Sequence, residues 1–295
     1  MRDMPSIGRD AGILTYEQVK YVETKVVEQV HEKLVGRQIM PLISLPDAGY
    51  KWYKYYEEED MGPAAIGMEG IAQADDIPNY PAHEQKLPVI WKTFMIQWRD
   101  ALAARHQGPQ LLERYPRNAA RQVAEEEDKL LLTGEYTGWN ALGIHGLLRS
   151  AGHVNAGNGN HWPTDSISDI LDGWADLQGS GFINQKPVLI GPPDLIKCLY
   201  AQLPNTEISY MGYLLKEILA GVYESNSLFA ADGGQDSVLL VIPGIDNFAM
   251  IEAQPPTVHW WEDKMGNMYG TVREVVAPVV FRSESIKEIT DLTCP

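Results

Sequence analysis

The chain has 295 residues, enough for one large domain or two intimate ones. Apolar residues make up 44% and charged residues 22%, close to a globular average, which excludes wholesale disorder. Asp and Glu outnumber Lys and Arg by 40 to 24, so the net charge of −16 offers no electrostatic footprint for wrapping nucleic acid and makes copies repel unless their contacts are large.

Residues 1–14 carry Gly, Pro and mixed charge and read as a flexible arm with no apolar signal core. Thr15-x-x-Gln18 then forms a capping-box pattern. Val19, Val22, Val26, Val30 and Leu34 follow at steps of three and four, one apolar stripe on a helix whose other face is charged. Gly36 is the expected stop. Ile39, Leu42, Ile43 and Leu45 suggest a short extended piece, and Tyr50, Trp52 and Tyr55 alternate with polar residues as in a strand. Residues 57–84 are acidic, punctuated by Gly and Pro, and too poor in large apolar residues to hold a core. Leu87, Val89, Trp91, Phe94, Ile96 and Trp98 form another extended run. Two strands around such a stretch describe a long β-hairpin arm. A two-stranded ribbon is marginal alone in water, so this arm is expected to rest on another chain.

Gly108-Pro109 opens a helical region in which Pro116 is expected to separate a short helix from a longer one over 117–132. The longer helix has Ala119, Ala120, Val123, Leu130 and Leu131 on its apolar side and Glu125 to Asp128 near its middle; Gly134 ends it. Residues 134–163 are rich in Gly and Asn and read as a boundary loop. Helices are predicted from Asp165 or Ser166, after Pro192-Pro193-Asp194, and over 213–219. Strands are predicted at 188–190, 238–242, 248–251, 257–261, 268–276 and within 277–289. The order lacks the alternating βαβα rhythm of a doubly wound enzyme, and the fold class is α+β.

Chemistry-bearing patterns are scarce. There is no Gly-rich phosphate loop, zinc-protease helix motif or nucleophile elbow. Cys198 and Cys294 form no disulfide framework and fit a reducing compartment. His153 and His161 lack a third metal ligand and read as loop histidines. Glu57, Glu58, Asp60, Asp75 and Asp76 read as a solvated arm or as acceptors for a neighbour's cations. Consecutive helical residues fan out by about 100°, so Glu125, Glu126, Glu127 and Asp128 cannot converge on one substrate; a charged face pairing across a subunit contact is expected instead. No catalytic residue, cofactor or metal is assigned. No apolar run of about 18 residues exists, so no membrane span is expected.

This order resembles the shell proteins of the tailed-phage (Hong-Kong-97-like) capsid fold, which encapsulins share. The helix ending at Gly36-Arg37 looks like the encapsulin N-terminal helix. The arm looks like the extended loop, or E-loop, and the helix with Val123, Glu125, Glu127 and Asp128 looks like the spine helix of the peripheral domain. Residues Val272 to Phe281, with Ser285-Ile286, look like a returning peripheral strand. The resemblance implies an N-terminal arm over 1–47, an E-loop over 48–100, a peripheral domain over 101–150, an axial domain over about 151–255 and a return to the peripheral domain over 256–295. It implies an icosahedral homo-oligomer whose E-loop residues Tyr50, Trp52, Tyr55, Glu57, Glu58, Asp60, Asp75 and Asp76 meet neighbouring copies. Val19, Val22, Val26 and Val30 would face the lumen or line a cargo or scaffold groove. The first functional expectation is a viral major capsid protein, in a virion, enclosing DNA without binding it specifically, with portal, scaffold or decoration partners. The alternative is a cytoplasmic encapsulin shell enclosing a cargo protein, and the third is an enzyme with an unfamiliar site. No Asn and general acid match Lys51, Lys54 or Lys86, so no covalent cross-link is expected.

Overall fold

A computed structural model describes residues 35–56, 82–107, 114–134, 143–150, 152–154, 161–180, 185–228, 236–290 and 292–294. The predicted valine-striped helix, the acidic residues from Glu57 to Asp76 and the 108–113 segment lie outside them.

The chain builds two sheets around one long helix. The first sheet has the order β1 (Leu42–Ser44), β9 (Phe248–Glu262), β10 (Met268–Val280), β4 (Val89–Ile96). β1 runs parallel to β9, and the other pairs are antiparallel. The second sheet has the order β5 (Gly152–Val154), β11 (Ile286–Ile289), β8 (Val238–Val241), β6 (Val188–Gly191), β7 (Gly221–Glu224). A separate ribbon pairs β2 (Trp52–Tyr56) with β3 (Ala82–Lys86). The helices are α1 (Val35–Ile39), α2 (Trp98–Gln107), α3 (Arg114–Leu132), α4 (Leu147–Ser150), α5 (Ser166–Gly179), α6 (Pro193–Cys198) and α7 (Tyr210–Glu217).

Helix α3 is the spine. Ala119, Ala120, Val123, Ala124 and Leu130 to Leu132 pack on Ile90, Phe94 and Ile96 of β4 and on Val272 and Val276 of β10. The same core reaches Val188, Ile190, Leu239, Val241 and Ile286, one face of the second sheet. The other face of that sheet, with Leu189, Leu240 and Ile289, lies under α5, α6 and α7 through Ile170, Leu195, Ile196 and Leu214. Burial on both faces explains why β6 and β8 are uninterrupted apolar runs.

Several sequence expectations change here. Pro116 does not divide the helix. It sits in the first turn of α3, where its missing N–H has no intrahelical partner to lose. Gly36 is not a stop but lies inside α1, where a Cβ would fall 2.7 Å from Leu131 Cδ1. The two strands predicted over 248–261 are one 15-residue strand, and its hairpin with β10 carries register shifts near Arg273 and Val275. Trp98 begins a helix rather than ending a strand. Short β5 and β7, unpredicted, complete the edges of the second sheet. The C-terminal segment divides, with β10 in the first sheet and Ile286–Ile289 in the second.

Candidate functional site

Three features stand out: the root of the ribbon, a solvent-facing aromatic strip on the first sheet, and a buried charge cluster under α1. The ribbon pairs Trp52 with Lys86, Lys54 with Glu84 and Tyr55 with His83. Tyr53 and Tyr55 turn toward the body. They pack with Leu87, Phe281 and the face of the first sheet that carries Ile251, Val275 and Val279. The Tyr55 ring meets Phe281 edge-on at 5.6 Å. Trp52 and Tyr56 turn away and stay 49% and 64% exposed. Tyr55 therefore lies on the opposite face from Trp52, as a spacing of three along a strand requires. Alternation fixes which residues share a face but not which of them faces the body. Lys86 Nζ lies 5.6 Å from the Trp52 ring, and Lys54 pairs with Glu84 at 2.9 Å. Both lysines are engaged locally.

On the first sheet, Ile90, Phe94 and Ile96 of β4 point under α3. Val89, Trp91 and Met95 point out. Trp91 is 64% exposed, and across the strands Trp261 stacks on Tyr269 at 5.5 Å. Thr93 and Thr271 join their hydroxyls at 2.9 Å between these aromatics.

The third feature corrects the expected charged helix face. Glu125 is exposed and meets Gln122 at 2.9 Å, but Glu127 is 0% exposed and Asp128 is buried. The two turn in different directions. Asp128 Oδ1 accepts the Gly36 N–H at 2.9 Å, and its Oδ2 accepts the hydroxyls of Ser225 at 2.8 Å and Ser227 at 3.2 Å. Glu127 Oε1 lies 2.7 Å from Arg37 Nε. The same guanidinium donates to Glu252 Oε1 at 3.0 Å and approaches Glu274 Oε2 at 3.5 Å. One cation thus faces three carboxyls from α3, β9 and β10.

Burial disfavours the charged guanidinium, but Glu127, Glu274 and Glu252 outweigh it and hold its pKa above the ordinary value. Burial pushes Glu127 up to about 7 against the pull of Arg37. Glu274 is pushed well above the usual range by burial and by the neighbouring Glu127 charge. Sequence reading missed this cluster. Its signal was acidic residues, Glu252 and Glu274, inside otherwise apolar strands, where an unpaired charge is costly.

Cys198 and Cys294 form a disulfide, with Cα atoms 6.4 Å apart, against the expectation of no disulfide framework. Neighbouring Thr293 shares a hydrogen bond with His161 Nδ1 at 2.9 Å, so His161 serves the C-terminal tail. Among the described residues, no three His, Cys, Asp or Glu side chains are grouped to hold a metal ion. No helix among them is long and apolar enough to cross a membrane.

A family model described as "Encapsulating protein for peroxidase" matches residues 4–276. The chain belongs to this family. Its members are shell proteins, and this chain is a shell-forming structural protein rather than an enzyme. The chain is 25% identical over 231 residues to the type 1 encapsulin shell protein EncA of Myxococcus xanthus (strain DK1622), covering 77% of this chain and 78% of that one. The virus-like particle from Pyrococcus furiosus matches with a TM-score of 0.65 at 11% identity, over 92% of this chain and 99% of that one. The capsid of Myoviridae Phage XM1 matches with a TM-score of 0.67 at 14% identity, over 88% and 92%. The fold is therefore the Hong-Kong-97-like capsid fold. The family match and the relative favour an encapsulating shell over the genome-enclosing capsid expected first.

Proposed function

We propose that this protein is the shell subunit of an encapsulin nanocompartment, assembled in the cytoplasm around a cargo protein. The observation that carries the reading is the family match across residues 4–276. The ribbon adds a physical reason for many copies. Its root is fixed to its own body through Tyr53 and Tyr55, while Trp52 and Tyr56 face solvent. Apolar surface held out in this way is stabilised by burial against a neighbour. Each subunit carries 16 net negative charges, so the contacts must be extensive; obligate interfaces bury roughly 2,000–5,000 Å².

In this reading Tyr50, Trp52 and the acidic residues Glu57, Glu58, Asp60, Asp75 and Asp76 belong to intersubunit contacts. Val19, Val22, Val26 and Val30 line the groove that takes cargo. Residues 101–150 form the peripheral domain around the spine, and the second sheet with α5, α6 and α7 forms the axial domain.

Electron microscopy of purified particles, with mass spectrometry of their contents, tests the reading. Closed shells containing a co-purifying protein are expected. Shells that protect a long DNA molecule from nuclease, or a chain that remains monomeric, would overturn it.

A further inference from the structure

Cys198 is the last residue of α6, and its disulfide partner Cys294 lies in the segment that follows β11. The bond forms part of the wall of an open groove of about 680 Å³, beside Asp194, Lys197, Ala201 and Asp236. Cys294 is exposed and Cys198 half-buried. Thiol–disulfide exchange needs access to a sulfur, and exposed disulfides are the ones that exchange. This one can be reached from the groove.

The noncovalent contacts of the same segment run to the start of the turn before α5. The Thr293 carbonyl accepts the Trp162 N–H at 2.9 Å, and the Thr293 hydroxyl shares a hydrogen bond with His161 Nδ1 at 2.9 Å. Leu292 is buried in the core that also holds Trp162. A hydrogen bond contributes little net stability, and each ordered residue gives up backbone entropy. The covalent bond is therefore what keeps the segment closed on the body.

The two ends of the bond differ. Cys198 is fixed on a helix, and its sulfur lies 3.3 Å from the Asp194 carbonyl oxygen, an acceptor for the S–H that reduction creates. Cys294 sits outside any helix or strand. After reduction Cys198 is satisfied in place, and the Cys294 side is the one that moves.

We propose that Cys198–Cys294 is a reversible redox site, addressed by small dithiols through the groove, that clasps the segment after β11 onto α6 only in its oxidised state. A thiolate of the dithiol attacks the exposed Cys294 sulfur. The S–S bond breaks, its electron pair leaves on Cys198, and that sulfur takes a proton from water. The second thiolate of the reagent then attacks the mixed disulfide, closing the reagent into a cyclic disulfide and leaving Cys294 to take a proton in turn. The protein gains two electrons and two protons, and the dithiol loses the same. The oxidised reagent runs the sequence backwards. The site needs no assumption about cargo or compartment.

The assembled, full-length protein tests this without denaturant. It is treated with reduced and then with oxidised dithiothreitol, and thiols are trapped with iodoacetamide and located by mass spectrometry. Both cysteines should be trapped after reduction and neither after reoxidation. Hydrogen exchange at constant pH reads the clasp at the Trp162 amide, whose acceptor is the Thr293 carbonyl. On reduction its protection should fall by at least about tenfold more than that of the β6 amides, since it then exchanges by a local opening rather than a global one. Cys294→Ser should show the low protection with or without dithiothreitol. Cys198→Ser supplies the same comparison should the first variant fail to fold. A bond that yields to dithiothreitol only in denaturant, a bond that does not re-form, or a Trp162 amide that loses no more protection than β6 would overturn the proposal.

Discussion

Replacing Arg37 by Met removes the cation shared by Glu127, Glu252 and Glu274 while keeping much of the side-chain volume. The desolvated carboxyls then have no counter-charge, and breaking a buried pair from one side typically costs about 3–5 kcal/mol. A second estimate comes from protonation. A carboxyl with an ordinary pKa of 4.5 that must enter the folded state neutral costs about 1.4 kcal/mol for each pH unit above that value. That amounts to about 4 kcal/mol at pH 7.5 and under about 1 kcal/mol at pH 5. The sign follows from the raised folded-state pKa. The folded protein holds more protons than the unfolded chain, so the variant's stability falls as pH rises from about 4.5 toward and past neutrality. For a chain of this size, 1 kcal/mol moves the melting temperature by about 2 °C, so a loss of about 8 °C is expected at pH 7.5. Thermal unfolding followed by tryptophan fluorescence, at fixed concentration and scan rate, measures it. Most of the loss should disappear at pH 5, and Arg37→Lys should lie between the two proteins. An Arg37→Met protein that loses less than about 1 kcal/mol at pH 7.5, or as much at pH 5 as at pH 7.5, would refute the reasoning.

Other perturbations address separate parts of the structure. Replacing residues 57–81 by Asn-Gly leaves Tyr56 and Ala82 paired across a two-residue turn, so the subunit should fold while closed shells fail to form; normal particles in the microscope would contradict the role of the arm. Gly134 has φ of +65°, and a Cβ there would meet the Gly146 backbone. Gly134→Ala should cost at least about 2 kcal/mol, read as a lowered melting temperature and soluble yield. Reducing Cys198–Cys294, which are 96 residues apart, should lower the melting temperature, with the chain-entropy limit near about 4–5 kcal/mol. Cys294→Ser should match the reduced protein, and a reduced wild type with unchanged melting would count against the bond.

The sequence was most legible where burial is simple. The apolar runs at 188–190 and 238–242 became strands covered on both faces, and the Ala119–Leu131 pattern became the spine helix. It was least legible where the same pattern fits two orientations. Period-two alternation puts Val89 and Trp91 opposite Phe94, and Trp52 opposite Tyr55, but which face is buried is decided by what covers it. Here α3 covers Phe94, and β10 with Phe281 covers Tyr55. Helical spacing turns Glu127 and Asp128 to different partners. It gave no hint that Glu127 would meet Arg37 from 90 residues upstream, or that the same guanidinium would reach Glu274. Partners so distant appear only when the sheet is assembled.

The divergence of Glu127 and Asp128 has an architectural consequence. A helix turns its successive side chains by about 100°, so two neighbouring acids can serve two different layers at one height. Glu127 reaches β9 and β10 of the first sheet by way of Arg37, and Asp128 reaches the loop after β7 of the second through Ser225 and Ser227. Both also hold α1, one through its guanidinium and one through a backbone N–H. The point where the N-terminal segment enters is thus tied at once to the spine and to both sheets. Exchanging Glu127 for Ala would leave the Asp128 contacts in place but strand Arg37 among Glu252 and Glu274, whereas exchanging Asp128 for Ala would orphan the Gly36 N–H and loosen the link to the second sheet. The two losses should therefore separate by pH. The Arg37 network contains the carboxyls whose protonation burial favours, while the Asp128 contacts are made to backbone and hydroxyl donors that do not titrate in the neutral range.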